Sequence, residues 1–470
     1  MNIETLAAKY SAIPSHWWLS TLGESLSAII GGGTPSRDNP SYWGGDIPWL
    51  TVKDMRGRRP TDAQEHITQQ AVKDSATNII PPDTVITATR VGLGKVVRVP
   101  FAAAINQDLK ALVVGPDLDK SYLEYWLVSI ATFLESIGSG TTVKGIRLET
   151  LRQLPIPLAP LQEQREIVAE LEKQFSRLDE AVANLQRVKA NLKRYKASVL
   201  KAAVEGRLVE TEATQARREG RTYETGKQLL QRILEERRAK WAGKRKYREP
   251  VKPEIESLSA LPDGWIWASP EQVSAGEAYS LAIGPFGSSL KVSDYKTQGV
   301  PLVFVRNIRS GLFGGENTVC VTKDKAAELS AHAVEAGDIL VTKMGDPPGD
   351  VCRYPANRPP AVITADCIKL RLTKVGVDAL FIEYTMASRV VQDQILSITK
   401  GVAQLKVNLA NFSSIALPLP PVAEQARIVA ELDRHLSIVR EVEAEVNTIL
   451  KRAQTLRQAT LAKAFSGAKR

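Results

Sequence analysis

The feature that most constrains this chain is that it contains itself twice. The segment LPIPLAPLQEQREIVAEL at 154–171 returns as IALPLPPVAEQARIVAEL at 415–432. The register set by Gln164 and Gln425 then holds without a gap from Leu154/Ile415 to Val209/Arg470. Fainter echoes precede each copy. Ile13-Pro14…Trp17 is matched by Leu261-Pro262…Trp265, and the run from Gly45 to Met55 by the run from Gly299 to Ile308. Asp83 with Val91-Gly92 parallels Asp338 with Met344-Gly345, Asp108-Leu-Lys110 parallels Asp366-Cys-Ile-Lys369, and Gly140 parallels Gly401. A repeat of this length demands two copies of one fold rather than one large domain. The order that follows is a globular domain at 1–153, a helix at 154–209, a linker at 210–257, a second globular domain at 258–414 and a second helix at 415–470.

Each globular half carries short β-rich runs (47–53, 84–89, 301–306 and 338–343) broken by Gly and Pro, with helical patterns at 121–135 and 379–397. This pattern predicts a mixed α/β (α+β) fold with a short mixed sheet in each half. The repeated segments read differently. Pro155-x-Pro157 and Pro418-x-Pro420 are extended, since proline fixes φ and removes a donor. Beyond them apolar residues recur at spacings of three and four. The first stripe is Val168, Leu171, Phe175, Leu178, Val182, Leu185, Leu192 and Val199; the second is Val429, Leu432, Leu436, Val439, Val446, Leu450 and Leu461. Stripes sustained over several heptads are coiled-coil seams, with one slip in each copy near Val188 and Val442. About 45 helical residues make a rod of roughly 65 Å. Because the stripes match, the two helices are expected to pair within the chain and fix the spacing of the globular halves; packing of each helix on its own half is the alternative.

The linker holds a helical stretch at 226–240 and a basic run, Arg237-Arg238, Lys240, Lys244-Arg245-Lys246 and Arg248, interleaved with Trp241 and Tyr247. A solvated linker is the default reading, and contact with phosphates is the alternative. The formal charge of +10 over 470 residues admits a polyanionic partner and argues against an acidic one. No apolar run approaches the ~18–20 residues that span a bilayer. The first residues lack an apolar leader pattern, and Cys320, Cys352 and Cys367 form no CxxC, so buried, reduced thiols in a cytoplasmic protein are expected. Four scattered histidines, at 16, 66, 332 and 435, offer no zinc site.

Catalytic motifs are sparse. Asn39-Pro40-Ser41-Tyr42 approaches the Asn-Pro-Pro-Tyr turn of adenine methyltransferases but lacks the second proline, and no Gly-rich cofactor loop accompanies it. Arg90-Val-Gly92-Leu-Gly94-Lys95 lacks P-loop spacing. Asp294-Tyr295-Lys296 lacks the companion acid that a metal-dependent nuclease needs, and no HExxH or nucleophile elbow occurs. A non-catalytic binding protein is the expectation.

Two motifs carry a family resemblance. Gly31-Gly-Gly-Thr34-Pro35-Ser36-Arg37…Tyr42-Trp43-Gly44-Gly45-Asp-Ile47-Pro48-Trp49, followed by Pro157-Leu-Ala-Pro160-Leu-Gln-Glu163-Gln164-Arg165-Glu-Ile167-Val168, resembles the specificity subunit of type I restriction–modification systems over the whole chain. The resemblance implies two target recognition domains, each reading one half of a split, asymmetric site in double-stranded DNA. It also implies conserved helices that act as a spacer and dock two adenine methyltransferase subunits, joined by ATP-dependent endonuclease subunits, in a bacterium or archaeon. S-adenosylmethionine, ATP and Mg²⁺ would then belong to those partners. In the second half Ala282-Ile-Gly284-Pro-Phe-Gly287-Ser288-Ser289 replaces the Gly-Gly-Thr-Pro run, so the two halves are expected to read different bases.

Phosphates attract Lys and Arg, and base edges are read by Arg, Asn or Gln. Candidate DNA contacts near loop tips are Arg37, Lys53, Arg56, Arg58, Arg59, Arg90, Lys95 and Lys144 in the first half, and Lys291, Arg306, Asn307, Arg309, Lys343 and Lys406 in the second. Candidates for the helix seam and partner docking are Glu163, Gln164, Val168, Leu171, Phe175 and Leu178, with Glu424, Gln425, Val429, Leu432, Leu436 and Val439. The rival readings are a coiled-coil scaffold without sequence preference and a solitary methyltransferase or nuclease.

Overall fold

The computed structural model describes residues 2–140, 143–241, 246–309, 311–315, 319–401 and 405–466; Lys244 and Arg245 of the basic run and Gly467–Arg470 of the repeat lie outside the described residues. The chain divides into two compact units that do not follow the linear order of domains. The first joins 1–187 to 446–470, and the second is 188–445.

In the first unit one antiparallel sheet orders Leu26–Gly31, Leu109–Val114, Val85–Ala88 and Val96–Arg98. A second orders Glu65–Ile67, Trp43–Leu50, Ala103–Ile105 and Ile79–Ile80, with Trp43–Leu50 parallel to Ala103–Ile105. The second unit repeats both. Leu281–Ile283, Cys367–Leu370, Ile339–Thr342 and Val351–Arg353 form the antiparallel sheet. Cys320–Val321, Val300–Val303, Ala361–Ile363 and Ala333–Val334 form the mixed one, again with one parallel pair. In place of the expected single mixed sheet each half has two four-stranded sheets, in the same order twice, with smaller strand pairings beside them. The extended proline segments serve as strands: Pro155–Leu158 pairs with Trp18–Thr21, and Leu417–Leu419 with Ile266–Ala268. Gly140 and Gly401 adopt φ of +129° and +127°, a region reserved for glycine, which explains why both copies keep it.

The helical patterns at 121–135 and 379–397 each break in two, at Ile130 and at Ser388, neither of which is a helix breaker. The broken form lets Tyr122, Leu123, Trp126, Leu127, Phe133 and Leu134 all reach one core.

The two stripes give continuous helices, Leu161–Val204 and Val422–Ser466. Each serves both units, which is why the first unit is discontinuous. In the first unit Ile167, Val168, Leu171 and Phe175 of the first helix share a core with Leu461 and Phe465 of the second, and the Phe465 ring stands 5.0 Å from that of Tyr122. Leu178 is half-buried. In the second unit Ile428, Leu432 and Leu436, with Val429 against them, share a core with Val199, Leu200 and Ala203; Val439 is buried as well. Both expected modes therefore occur, packing on the helix's own half and pairing with the other helix. The pairing is antiparallel: Arg457 bonds Asp179 and lies 4.6 Å over the Phe175 ring, while the Tyr195 hydroxyl meets His435 Nδ1 at 2.6 Å.

The Glu-Gln pair of the repeat has a different role from the docking one expected. Gln164 is fully buried; its amide donates to the carbonyls of Asp117 and Ala159, and its oxygen accepts the Asp119 N–H, each at 2.8 Å. Gln425 does the same for Gly376, Pro420 and Asp378. Asp119 and Asp378 in turn cap the helices that begin at Lys120 and Ala379. Glu424 is also buried, accepting from Trp265 Nε1 at 3.0 Å and the Glu212 N–H at 2.9 Å. Of the four, Glu163 alone stays partly exposed, bonded to His16. Gln164, Gln425 and Glu424 are thus spent inside their own unit.

The helical part of the linker is packed rather than solvated, whereas 246–257, with Lys246 and Arg248, is mostly exposed coil as expected. The linker helix, Gly226–Ala239, sinks Leu229, Leu230 and Ile233 into the core of the second unit. Arg237 is buried, donating to the carbonyls of Ser274 and Ala275; Arg238 pairs with Glu249 and Lys240 with Glu236. These cations are neutralised or enclosed.

Candidate nucleic-acid interface

The two motifs of the first half fold onto one another. Trp43 and Trp49 of the Trp-Gly-Gly-Asp-Ile-Pro-Trp strand donate their indole N–H groups to the carbonyls of Ser36 and Gly33, both at 3.1 Å. Arg37 lies 3.7 Å over the Trp43 ring and grips Glu65 with both terminal nitrogens, which raises the guanidinium pKa further. Asn39 caps the short turn Pro40–Tyr42, and the Tyr42 hydroxyl donates to Asp74 at 3.0 Å. The Asn-Pro-Ser-Tyr tetrapeptide is thus a structural turn. Asp294 likewise closes a turn by accepting the Lys291 N–H at 2.7 Å.

Not all of the expected contacts are available. Glu124 is fully buried and collects Arg58, Arg59 and Arg98, with Arg58 also 3.9 Å over the Tyr125 ring. Arg58 and Arg59 therefore fasten the 51–62 loop to the helix Lys120–Ser129 rather than reach outward. Asn307 is 1% exposed. Its oxygen accepts the Phe304 N–H at 2.9 Å and its amide donates to the Gly314 carbonyl at 3.2 Å. A side chain with both ends used inside a tight turn cannot grip adenine, so the expectation for Asn307 is corrected. Arg306 lies 4.1 Å over Phe304, and Arg309 bonds its neighbour's carbonyl at 3.3 Å. Lys53, Arg56 and Lys291 are exposed on loops.

The remaining cations gather at one place in each fold. In both units the segment after the third strand of the antiparallel sheet meets the segment after the paired helices. In the first unit Ile146 N–H donates to Thr89 and Arg90 bridges to Gly145; in the second Val407 N–H donates to Lys343 and Met344 pairs with Lys406. Arg90 is exposed, 3.6 Å from Asp108, and Lys95 and Lys144 are exposed with no carboxylate partner among the described residues. A cleft of about 480 Å³ here is lined by Val91, Gly92, Leu93, Glu135, Val143 and Lys144. Beside the same junction in the second unit, but lined by different positions of the repeat, lies a cleft of about 650 Å³ that is richer in cations, with Lys343, Lys400 and Lys406 beside Ile398 and Asn408. Phe286, 59% exposed, forms one wall with the Lys343 ammonium 4.8 Å from its ring. Burial lowers the Lys343 pKa. Where the two segments meet, the residues at matching positions differ: Thr89 against Lys343, Arg90 against Met344 (one residue from the Val91–Met344 match read in the sequence) and Gly145 against Lys406. Sequence reasoning found Lys343 and Lys406 but passed over Lys400 and Phe286, although Phe286 stands in the motif that distinguishes the second half.

Cys320, Cys352 and Cys367 are free and buried, and burial pushes the Cys352 and Cys367 thiols up to about 12. Among the described residues no cluster of three or more His, Cys, Asp or Glu could hold a metal ion, and no helix is long and apolar enough to cross a membrane.

Comparison with known proteins adds to this geometry. The family described as the type I restriction modification DNA specificity domain matches at residues 14–193 and 308–451. The chain is 29% identical over 164 residues to the type I restriction enzyme MjaIX specificity subunit of Methanocaldococcus jannaschii, spanning 34% of this chain and 38% of that relative. It is 22% identical to the EcoKI specificity subunit of Escherichia coli K12, covering 97% of this chain and 89% of that one. A solved chain concerned with complex assembly and conformational transition of the type I R-M system shares the fold, with a TM-score of 0.65 at 18% identity, covering 97% of this chain and 99% of that one.

Proposed function

The chain belongs to the type I restriction–modification DNA specificity family, and we propose that it is the non-catalytic subunit that supplies sequence specificity, each unit reading one half of a split site in double-stranded DNA. The observation that carries this reading is the pair of clefts. One fold, built twice, brings the same two segments together in each unit, with different residues at the matching positions of that junction and a cleft holding cations and exposed apolar side chains beside it. Equal scaffolds with unequal tips are what two independent half-sites require, because phosphate contacts position and base-edge contacts specify. Cations without carboxylate partners supply the first kind of contact, and the apolar and carboxylate groups between them supply the second.

Partner docking is assigned to the outer faces of the long helices. Val188 on the first, and Ile438, Ile449 and Leu456 on the second, are exposed apolar residues that the chain's own cores leave uncovered. Two adenine methyltransferase subunits are the proposed occupants, with an ATP-dependent endonuclease joining them; S-adenosylmethionine, ATP and Mg²⁺ act in those subunits. The test is N6-methyladenine mapping by single-molecule sequencing in cells that express the methyltransferase with and without this chain. A split motif with a fixed gap, lost with the chain, is the expected result. An unchanged methylome in cells producing both proteins would refute the reading and favour a scaffold.

A further inference from the structure

The first-unit cleft has a feature that phosphate binding does not explain. Val91 sits at φ +44°, a conformation that β-branched residues avoid. It is nevertheless 49% exposed, so no burial of its own side chain offsets the strain. The loop around it is rigidly held. Gly92 and Gly94, both at positive φ, bend the chain; Leu93 is buried in between; the Lys95 N–H donates to the Gly92 carbonyl at 3.2 Å. On one flank Arg90 bridges to Gly145, and Ile146 N–H donates to Thr89 at 2.8 Å. Strain that the surroundings impose on an exposed residue is a mark of ligand-contacting loops.

The chemistry of the lining narrows the ligand. Val143, also exposed, shares the cleft with Val91, and so do Glu135 and Lys144, while Arg90 and Lys95 are exposed on the same loop. Two aliphatic side chains and a carboxylate repel a phosphate. They suit the major-groove edge of a base pair, where thymine offers a C5 methyl group and adenine or cytosine an amino donor. The surrounding cations suit the flanking phosphates.

The geometry points to Val91, backed by Val143, as the specificity-determining contact of the first unit for a thymine methyl group. This rests on the DNA-reading function proposed above. At the position that matches Val91 the second unit carries Gly345, which has no side chain to offer a methyl group, so thymine discrimination by this route is confined to one half-site.

The test is a binding cycle with the full-length chain, assembled with its methyltransferase, on duplexes carrying the mapped site. Each thymine is replaced singly by deoxyuracil, which deletes only the C5 methyl, and Val91→Gly is compared with the unaltered protein. Glycine relieves the strain at φ +44°, so this variant keeps its fold. One replacement, in one half-site, is expected to weaken the unaltered protein about fourfold, the value of one buried methyl-sized group, and to leave Val91→Gly unaffected. Deoxyuracil effects equal in both proteins, or a first half-site without an A·T pair, would overturn the assignment while leaving the DNA-reading function intact. Failure of the unaltered protein to prefer the mapped site over a scrambled duplex would overturn both.

Discussion

Replacing Glu124 by Gln tests the reassignment of Arg58 and Arg59 from DNA contacts to internal fastening. The carboxylate is fully buried, 2.9 Å from Arg58 Nε, 2.7 Å from Arg59 Nη2 and 3.1 Å from Arg98 Nε. Removing one partner of a buried ion cluster typically destabilises by about 3–5 kcal/mol, because the remaining charge is stranded. Here that figure needs reducing. The Arg58 and Arg59 side chains are 32% and 43% exposed and can turn into water, where such pairs contribute little. Arg98, 10% exposed, is the one stranded, and it keeps Asp83 at 3.2 Å. A loss of about 2–3 kcal/mol is expected, and in a unit of this size each kcal/mol moves the melting temperature by about 2–4 °C. Calorimetry of the full-length chain should therefore show the first unit melting about 5–10 °C lower. Hydrogen exchange should quicken in Lys120–Ser129, the helix that Glu124 anchors. Glu163→Gln, at a partly exposed pair with His16, serves as the control and should move stability by under about 0.5 kcal/mol. A melting shift below about 1 °C for Glu124→Gln with unchanged exchange would refute the fastening role and make Arg58 and Arg59 candidates for DNA contact once more.

Three further outcomes are expected. Asn307→Ala, which leaves the half-buried Phe304 N–H and Gly314 carbonyl without their side-chain partner, should cost about 1–2 kcal/mol by denaturant titration, with the bases recognised by the surviving folded protein unchanged. Replacing Arg90, Lys95 and Lys144 together by Ala should weaken binding to cognate and unrelated duplexes alike. It should also flatten the log–log salt dependence by about 0.9 for each phosphate no longer neutralised, measured by anisotropy titration. Burial holds the Lys369 pKa down to about 8, with the ammonium donating to the carbonyls of Ala331 and Ala333. Because the unfolded chain, titrating near 10.5, binds the extra proton between those two values, stability should rise as pH climbs from about 8 to about 10.5, by up to about 3 kcal/mol. Lys369→Met should abolish that rise in pH-resolved melting curves.

The internal repeat, the two long helices and the strand-rich halves were legible from the sequence because each is written in local pattern: a fixed offset, a three-and-four spacing, alternation broken by Gly and Pro. The repeat even carried over to single residues, since Gln164 and Gln425 make the same three hydrogen bonds and Gly140 and Gly401 the same turn. The breaks at Ile130 and Ser388 left no such trace, because the core, not the local sequence, requires them. The same holds for the units themselves. Leu461 and Phe465 are far from Phe175 along the chain yet share its core, and only folding brings them there.

The clefts divide in the same way. Which residues are cationic is sequence; which are free to touch DNA is tertiary structure. Arg58, Arg59 and Arg237 look no different in the chain from Arg90 or Lys144, but Glu124 and the Ser274 carbonyl, distant in sequence, claim the first three. Val91 and Phe286 matter because folding leaves them exposed among cations, and exposure is a property of the surroundings. Local spacing determined the architecture of this protein, whereas long-range pairing and burial decided which of its side chains remain available for recognition.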